Sequence, residues 1–460
     1  MHVFGTILLS ATLLTSHPTT EQANISVLIK NLTTGEVIDS HREDKVVPPA
    51  SVMKLLTTGS ALEILGEDFR FPTVLEYSGA IRHDTLFGNL YVRGGCDPSL
   101  GAKGKTEFLS QWTRAVKSAG IKVIEGAVVA DMTMLDGEAQ NPNWLCEDVG
   151  NYYAPSIFSL NYYSNTMNVV LKSGEPGTVA SVVKTEPKVE DIIFINHIRC
   201  DRIQYDGAFI HGLPYSNERY LTGSVPSNLG TFGVKGDLPN PGLLLARHLK
   251  KSLEDAGVPV KKEATFLSDY NPLAPPRIEI DTHYSEPLKE LVKETNVNSN
   301  NLYAESIFRY LGTRRGLPGT VHNSQDALKE FWKSKKVNVQ NAIIKDGCGL
   351  APQDAISAKA LVELLTYMYN SPRKEAWIES LPISGQTGTL KSLCAETPLD
   401  GRIHAKSGSI AGTKNFAGYI DMPNGDVWVF AVLVNSAPGK AKNIQKIIQE
   451  YLLDVYQQYQ

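Results

Sequence analysis

Apolar and polar residues alternate with period two near both ends of the chain, a pattern typical of β-strands. Near the N-terminus, Ile25–Ile29 and Val37–Ser40 flank a Thr34-Gly35 turn and predict a hairpin that enters a sheet. Near the C-terminus, an antiparallel meander is predicted, and an Asn424-Gly425 turn joins its last two strands. The strands of this meander are Ala405–Ser409, Asn415–Ile420 and Val427–Val434.

Helical spacing of apolar residues marks a helix that starts after Pro48-Pro49 and ends at Gly66, with Ser51 at its N-terminus. Ser285 is expected to cap a later helix, and a polar loop, Asn296–Asn301, follows that helix. The last helix is expected to pack on the sheet, with at most peripheral contact to a membrane. Other helical patterns occupy Lys105–Ala119, Gly242–Ala256, Leu302–Leu311 and Ile444–Val455.

Between about Phe71 and Glu263 the chain consists of short predicted strands with many tyrosines, prolines and glycines. A chain of 460 residues exceeds the usual size of one hydrophobic core. This stretch therefore predicts inserted domains.

The composition is that of a globular protein, with 42% hydrophobic and 20% charged residues. The formal net charge of −4 gives no basic field, which excludes nucleic acid as a partner. Five cysteines without Cys-x-x-Cys spacing indicate neither a zinc site nor a dense disulfide framework, and one of them must stay unpaired.

The apolar run Val3–Leu14 is too short to cross a membrane and suits the hydrophobic region of a secretory signal. Only His2 and the amino terminus are cationic there, and no Ala-x-Ala site follows. Export to the cell envelope is favoured, and a buried first helix is the alternative.

The segment Ser51–Lys54 offers a nucleophile and a base, because a lysine three residues along a helix returns to the side of the serine. Ser-x-x-Lys also occurs at Ser181–Lys184 and Ser371–Lys374, so the motif alone is weak. Only Ser51 begins a predicted helix, because Ser181 lies in a strand-like run and a proline follows Ser371.

Two further motifs follow Ser51–Lys54 in order, Ser299–Asn301 between helices and Lys406–Gly408 on a strand. This set of three is known from penicillin-binding proteins and class A β-lactamases. The 248 residues from Ser51 to Ser299 (299 − 51) exceed the short segment of a class A β-lactamase. The chain resembles low-molecular-mass class C penicillin-binding proteins, the D-alanyl-D-alanine carboxypeptidase and endopeptidase family.

That resemblance implies an α/β (α+β) fold with a penicillin-binding, β-lactamase-like transpeptidase domain, in which helices flank an antiparallel sheet. Two β-rich domains are inserted into it, and residues 1–19 form a signal or N-terminal segment. The expected boundaries are 20–67 and 265–460 for the catalytic domain, 68–160 and 228–264 for one inserted domain, and 161–227 for the other.

The resemblance also implies roles for the motif residues. Ser51 attacks the penultimate D-alanine carbonyl, Lys54 takes its proton, and Ser299 relays a proton to the leaving amine. Asn301 holds Lys54 and the substrate amide, and the backbone N–H groups of Ser51 and Ser409 form the oxyanion hole. The implied binding residues for the substrate carboxylate lie on one strand, at Lys406, Ser407, Gly408 and Ser409.

Two other segments bear on the resemblance. Trp144–Pro155 is similar to an inserted-domain segment of the family, and its Asp148 is implied to receive the side chain of the substrate. Asp346–Ala351 resembles an Asp-Gly-Ser-Gly-Leu-Ser loop but has Cys348 and Ala351 at the two serine positions, which puts the loop's hydrogen bonding in doubt. Cys348 is expected to be a buried structural thiol.

The implied substrates are peptidoglycan stem peptides, β-lactam antibiotics are the implied inhibitors, and no metal or other cofactor is expected. Two alternatives stay open. One is a β-lactamase, although no equivalent of its deacylating glutamate is evident, and the other is a catalytically impaired protein that binds peptidoglycan or β-lactams.

Overall fold

The computed structural model describes residues 10–135 and 137–459. These residues form two compact units. The first contains the chain up to Phe69, Pro287–Leu311 and the chain from Gln325 onward, and the second contains Arg70–Glu286 and Gly312–Ser324. The chain combines helices with sheets whose strand pairs are mostly antiparallel, which confirms the predicted mixed α/β class.

One five-stranded antiparallel sheet forms the centre of the first unit. It joins the predicted N-terminal hairpin to the predicted C-terminal meander, because Asn24–Asn31 pairs with Val427–Asn435. Across the sheet the strands are ordered Ile403–Ile410, Thr413–Asp421, Val427–Asn435, Asn24–Asn31 and Val37–His41. Ile403–Ile410 is thus an edge strand.

Helices cover both faces of this sheet. Trp428 and Phe430 point from the central strand into a core shared with Ile444 and Tyr451 of the last helix, as the pattern of that helix predicts. The opposite face packs against helix Ala358–Tyr369, so the central strand is almost wholly buried.

The helices of this unit, including those that run into its boundaries, are Ser10–Ser16, Met53–Leu65, Leu288–Val297, Asn301–Gly312, Val321–Ser334, Ala358–Tyr369, Lys374–Glu379 and Ala441–Gln458. Short 3₁₀ turns of this unit occupy Ala50–Val52 and Gly388–Leu390, and another, Thr313–Arg315, belongs to the second unit. Two predictions at helix ends are wrong. Ser285 does not cap a helix, because its Oγ accepts the Phe71 N–H (2.9 Å), and Asn296 is a buried helical residue.

The second unit is built mainly from sheets around one hydrophobic core, with helices Glu107–Ser118 and Pro241–Asp255 packed on them. Its five-stranded sheet has the order Thr265–Leu267, Val128–Asp131, Leu90–Arg93, Pro72–Tyr77 and Ile278–Tyr284. Its smaller sheets contain Ala80–Arg82, Thr85–Phe87 and Val123–Ile124, then Ser181–Glu186, Thr166–Ser173 and Gly230–Asp237, then Ile193–Asn196, Arg199–Asp201, Gly207–His211 and Glu218–Pro226.

The boundary predicted at residue 265 differs from the observed division. Strand Ile278–Tyr284 pairs with Pro72–Tyr77, and these hydrogen bonds hold residues 265–286 in the second unit. The further division of this unit into 68–160 with 228–264 and 161–227 stays a prediction.

The predicted apolar run Val3–Leu14 lies partly outside the described residues. From Ser10 onward it is a helix that packs against the C-terminal helix, and Leu14 is buried in the core of the first unit. Among the helices of the described ranges, none has the length and apolarity needed to cross a membrane.

Candidate active site

The candidate nucleophile lies in a tight turn ahead of a buried helix. Ala50–Val52 is a 3₁₀ turn, helix Met53–Leu65 follows it directly, and Ser51 is half-buried. Ala50 has φ +47°, a left-handed conformation that costs a non-glycine residue free energy. The surrounding structure therefore has to hold this turn in place.

Two glycines allow that support. A Cβ at Gly408 would overlap the carbonyl oxygen of Pro49, and a Cβ at Gly349 would overlap that of Ala50. Strand Ile403–Ile410 and the loop Asp346–Ala351 can therefore lie directly against the turn that carries Ser51.

Lys54 is fully buried, and its Nζ contacts three oxygen atoms. These are Ser51 Oγ at 2.9 Å, Asn301 Oδ1 at 2.6 Å and the Cys348 carbonyl oxygen at 2.7 Å. Burial lowers the pKa of Lys54, and the acidic groups beneath it act in the opposite direction. The amine is thus placed to exchange a proton with Ser51.

Ser299 and Lys406 form a second pair. Ser299 has φ +55° in the turn between helices Leu288–Val297 and Asn301–Gly312, and its Oγ lies 2.9 Å from Lys406 Nζ. Lys406 is fully buried and also donates to the Ser407 carbonyl (2.8 Å). Burial and then the charges of Lys54 and Lys414 lower its pKa.

Strand Ile403–Ile410 presents the third motif at the edge of the sheet. The Ser407 hydroxyl donates to Thr389 Oγ1 (2.8 Å), Gly408 faces the nucleophile turn, and Ser409 is exposed. An edge strand has backbone N–H and C=O groups that no strand pairs on one side, so an extended peptide can add to it.

Backbone groups supply most of the hydrogen bonds of the Asp346–Ala351 loop. The Asp346 carboxylate accepts four of its N–H groups, and Thr57 Oγ1 donates to the Gly347 carbonyl (2.7 Å). The loop therefore keeps these hydrogen bonds although cysteine and alanine replace the two serines. Burial raises the pKa of the Cys348 thiol, so no thiolate forms there at neutral pH.

Asp148 lies in a turn of the second unit, where Tyr153 Oη donates to its Oδ1 (2.9 Å).

The two other Ser-x-x-Lys segments, Ser181–Lys184 and Ser371–Lys374, are decoys whose side chains have other partners. Lys184 forms an ion pair with Glu186 (2.6 Å) on a strand, and the Ser371 hydroxyl accepts the Arg373 N–H (2.9 Å).

Sequence reasoning missed four residues that support the site. Thr57 and Glu305 hold the Asp346–Ala351 loop, and Thr389 contacts Ser407. Asn415 donates to the Pro48 carbonyl (2.9 Å) and ties the nucleophile turn to the sheet. Glu305 lies one helical turn after Asn301, and this spacing was a signal in the sequence that could have placed it beside the site.

Comparisons with known proteins identify relatives that match most of the chain. A D-alanyl-D-alanine carboxypeptidase of Actinomadura sp. is 26% identical over 452 residues, which cover 92% of this chain and 80% of that protein. D-alanyl-D-alanine carboxypeptidase DacB of Haemophilus influenzae is 24% identical over 422 residues, covering 90% and 86%.

The fold is shared with the crystal structure of penicillin binding protein 4 (dacB) from Haemophilus influenzae. The TM-score is 0.83 at 23% identity, and the match covers 98% of this chain and 99% of that one. The D-Ala-D-Ala carboxypeptidase 3 (S13) family matches residues 9–455, which favours a carboxypeptidase over the two alternatives. The chain belongs to this family and is a serine-type D-Ala-D-Ala carboxypeptidase.

Proposed function

We propose that the chain cleaves the D-Ala-D-Ala bond of peptidoglycan stem peptides through an acyl-enzyme on Ser51, and that β-lactams acylate the same hydroxyl. The observation that carries this proposal is the 2.9 Å contact between Ser51 Oγ and the buried Lys54 Nζ. Among the relatives, the Haemophilus influenzae protein has also been crystallised with a β-lactam.

In the first step Ser51 Oγ attacks the penultimate D-alanine carbonyl and passes its proton to a neutral Lys54. Desolvation favours the neutral amine. Asn301 Oδ1 and the Cys348 carbonyl accept its two remaining N–H groups, which directs the lone pair toward Ser51. This arrangement is that of a nucleophile with an adjacent general base.

In the second step the tetrahedral intermediate collapses and the C–N bond breaks. The proton held by Lys54 returns to the leaving nitrogen through the Ser299 hydroxyl, which Lys406 orients. Water then hydrolyses the ester on Ser51, and the shortened peptide leaves.

The backbone N–H groups of Ser51 and Ser409 stabilise the oxyanion, a contribution typically worth about 10²–10³ in rate per donor. Lys406, Ser407 and Ser409 recognise the terminal carboxylate, and Gly408 lets the substrate-binding strand lie directly against the nucleophile turn. Exposure of Ser409 at the sheet edge supports its contact with an extended peptide.

Asp148 is proposed to pair with the free ammonium of a diaminopimelate side chain, and its bond from Tyr153 supports a fixed carboxylate. Such a receptor would serve both carboxypeptidase and endopeptidase cleavage. We place the enzyme in the periplasm or cell envelope, where these substrates occur.

The test is mass spectrometry of the protein after incubation with penicillin, followed by peptide mapping and an assay on purified muropeptides. One stoichiometric, slowly hydrolysed adduct on Ser51 is expected, and Ser51→Ala should abolish it. Ser371→Ala, a change in a decoy motif of the same spacing, is the control and should label normally. An adduct on Ser181, Ser371 or Cys348 would refute the assignment.

A further inference from the structure

A buried carboxyl group lies beneath the candidate base. Glu305 is on the helix Asn301–Gly312, one turn after Asn301, and only 1% of it is exposed. Its Oε1 accepts the backbone N–H of Gly347. One face of this helix thus makes two contacts: Asn301 binds Lys54, and Glu305 binds the Asp346–Ala351 loop.

The Gly347–Cys348 segment connects Glu305 to Lys54. The N–H of Gly347 is bound by Glu305, its carbonyl accepts a hydrogen bond from Thr57, and the next carbonyl, that of Cys348, accepts one from Lys54. A Cβ at Gly347 would overlap Phe308, so the segment packs directly against the helix that carries Glu305. A displaced Gly347 would therefore move an acceptor of Lys54.

The second oxygen of Glu305, Oε2, is buried and has no hydrogen-bond partner among the described residues. An ionised carboxylate would therefore have a buried oxygen without a donor, and only the Gly347 N–H on Oε1 would stabilise its charge by a hydrogen bond. Burial, and then the charge of Asp346, raise the pKa of Glu305 to about 8. The uncharged acid is thus the main form at neutral pH.

Charged and titratable groups reach Glu305 from each surrounding element. Arg309 of its own helix and Lys54 favour its ionised form, and Asp346 opposes it. Conversely, an ionised Glu305 favours the charged form of Lys54. The groups around it are Lys54 on the nucleophile helix, Arg309 on its own helix, and Asp346, Cys348 and Asp354 in the loop region.

We propose that Glu305 is a positioning residue for the base. Its carboxyl holds the peptide segment whose carbonyl orients Lys54, and by staying uncharged it leaves Lys54 free to lose its proton. This inference rests on the proposed function, in which Lys54 accepts the Ser51 proton.

The test measures acylation by a fluorescent penicillin from pH 6 to pH 10 in the full chain. In Glu305→Gln the amide oxygen still accepts the Gly347 N–H, but the side chain cannot ionise. The ratio of rate constants, variant over wild type, should rise about threefold or more between pH 7 and pH 9, because ionised Glu305 then favours the charged form of Lys54 in the wild type only. Glu305→Ala removes the anchor and should slow acylation about tenfold at every pH.

The matched control is Glu63→Gln, at the far end of the same helix as Lys54, where the carboxylate accepts a hydrogen bond from Tyr367 (2.9 Å). The ratio of the acylation rate constant of Glu63→Gln to that of the wild type should not change with pH. A flat ratio for Glu305→Gln, or normal acylation of Glu305→Ala, would overturn the inference. If Glu305→Ala fails to fold, the pH dependence of acylation in Glu305→Gln tests the inference by itself. The adduct is mapped in each variant, because labelling away from Ser51 would refute the proposed function instead.

Discussion

Asp346→Asn is expected to destabilise the loop that supports the candidate nucleophile and base. Asp346 Oδ1 accepts the N–H groups of Cys348 (3.0 Å) and Gly349 (2.5 Å), and Oδ2 accepts those of Leu350 (2.9 Å) and Ala351 (2.7 Å). Asparagine replaces one oxygen by an amino group, so two of these N–H groups would face a donor. At about 1.5–3 kcal/mol for each hydrogen bond to a charged group, the loss is about 3–6 kcal/mol.

The neighbouring Asp354 provides a matched comparison. It is also buried, but its Oδ1 accepts one backbone N–H, that of Lys345 (2.6 Å). Burial, followed by the charge of Asp346, raises its pKa well above the usual value, which favours the uncharged carboxyl. An amide mimics an uncharged carboxyl, and Asp354→Asn should cost about 1 kcal/mol or less.

Urea unfolding followed by tryptophan fluorescence measures the free energy change of both variants, and fluorescent penicillin measures acylation. Because the loop holds Lys54 and packs against the Ser51 turn, Asp346→Asn should slow acylation about tenfold or more, whereas Asp354→Asn should retain most of it. Equal losses of stability in the two variants, or normal acylation of Asp346→Asn, would refute the reasoning.

Lys54→Arg keeps the charge but removes the base, so acylation by penicillin should fall about a hundredfold or more; near-normal labelling would contradict the role of Lys54. Asp148→Asn should lower the ratio of diaminopimelate-peptide cleavage to penicillin acylation, because penicillin lacks that ammonium, and an unchanged ratio would show that Asp148 is not the receptor. Glu305 has a pKa of about 8 in the folded state in place of 4.5, so between these pH values it holds its proton in the folded state and loses it on unfolding. The free energy of unfolding of the wild type should therefore fall relative to that of Glu305→Gln between about pH 4.5 and pH 8, by at most about 5 kcal/mol. Thermal unfolding measures this difference, and a difference in Tm between the two proteins that stays constant across this pH range would contradict it.

The elements with a clear period were predictable from the sequence. The hairpin at Asn24–Asn31 and Val37–His41, the C-terminal meander and the last helix lie where their apolar spacing places them. Helix ends were harder. The caps depend on contacts from distant residues, as when Phe71 binds Ser285.

The motif residues were also chosen from the sequence, because order and local context separated Ser51 from Ser181 and Ser371. The structure brings Ser51, Lys54 and Asn301 within hydrogen-bonding distance and pairs Ser299 with Lys406. Their catalytic roles stay predictions until the variants are measured.

Only the tertiary structure decided what supports these residues. The sequence determined which residue types were available and in what order, because the motifs and strand patterns are local. Pairing of Asn24–Asn31 with Val427–Asn435 joins segments about 400 residues apart, and the contacts of Glu305 with Gly347 and of Asn415 with Pro48 join residues 42 and 367 positions apart. Burial then sets the ionisation of Lys54 and Glu305, because desolvation depends on everything packed around a group and not on its neighbours in sequence.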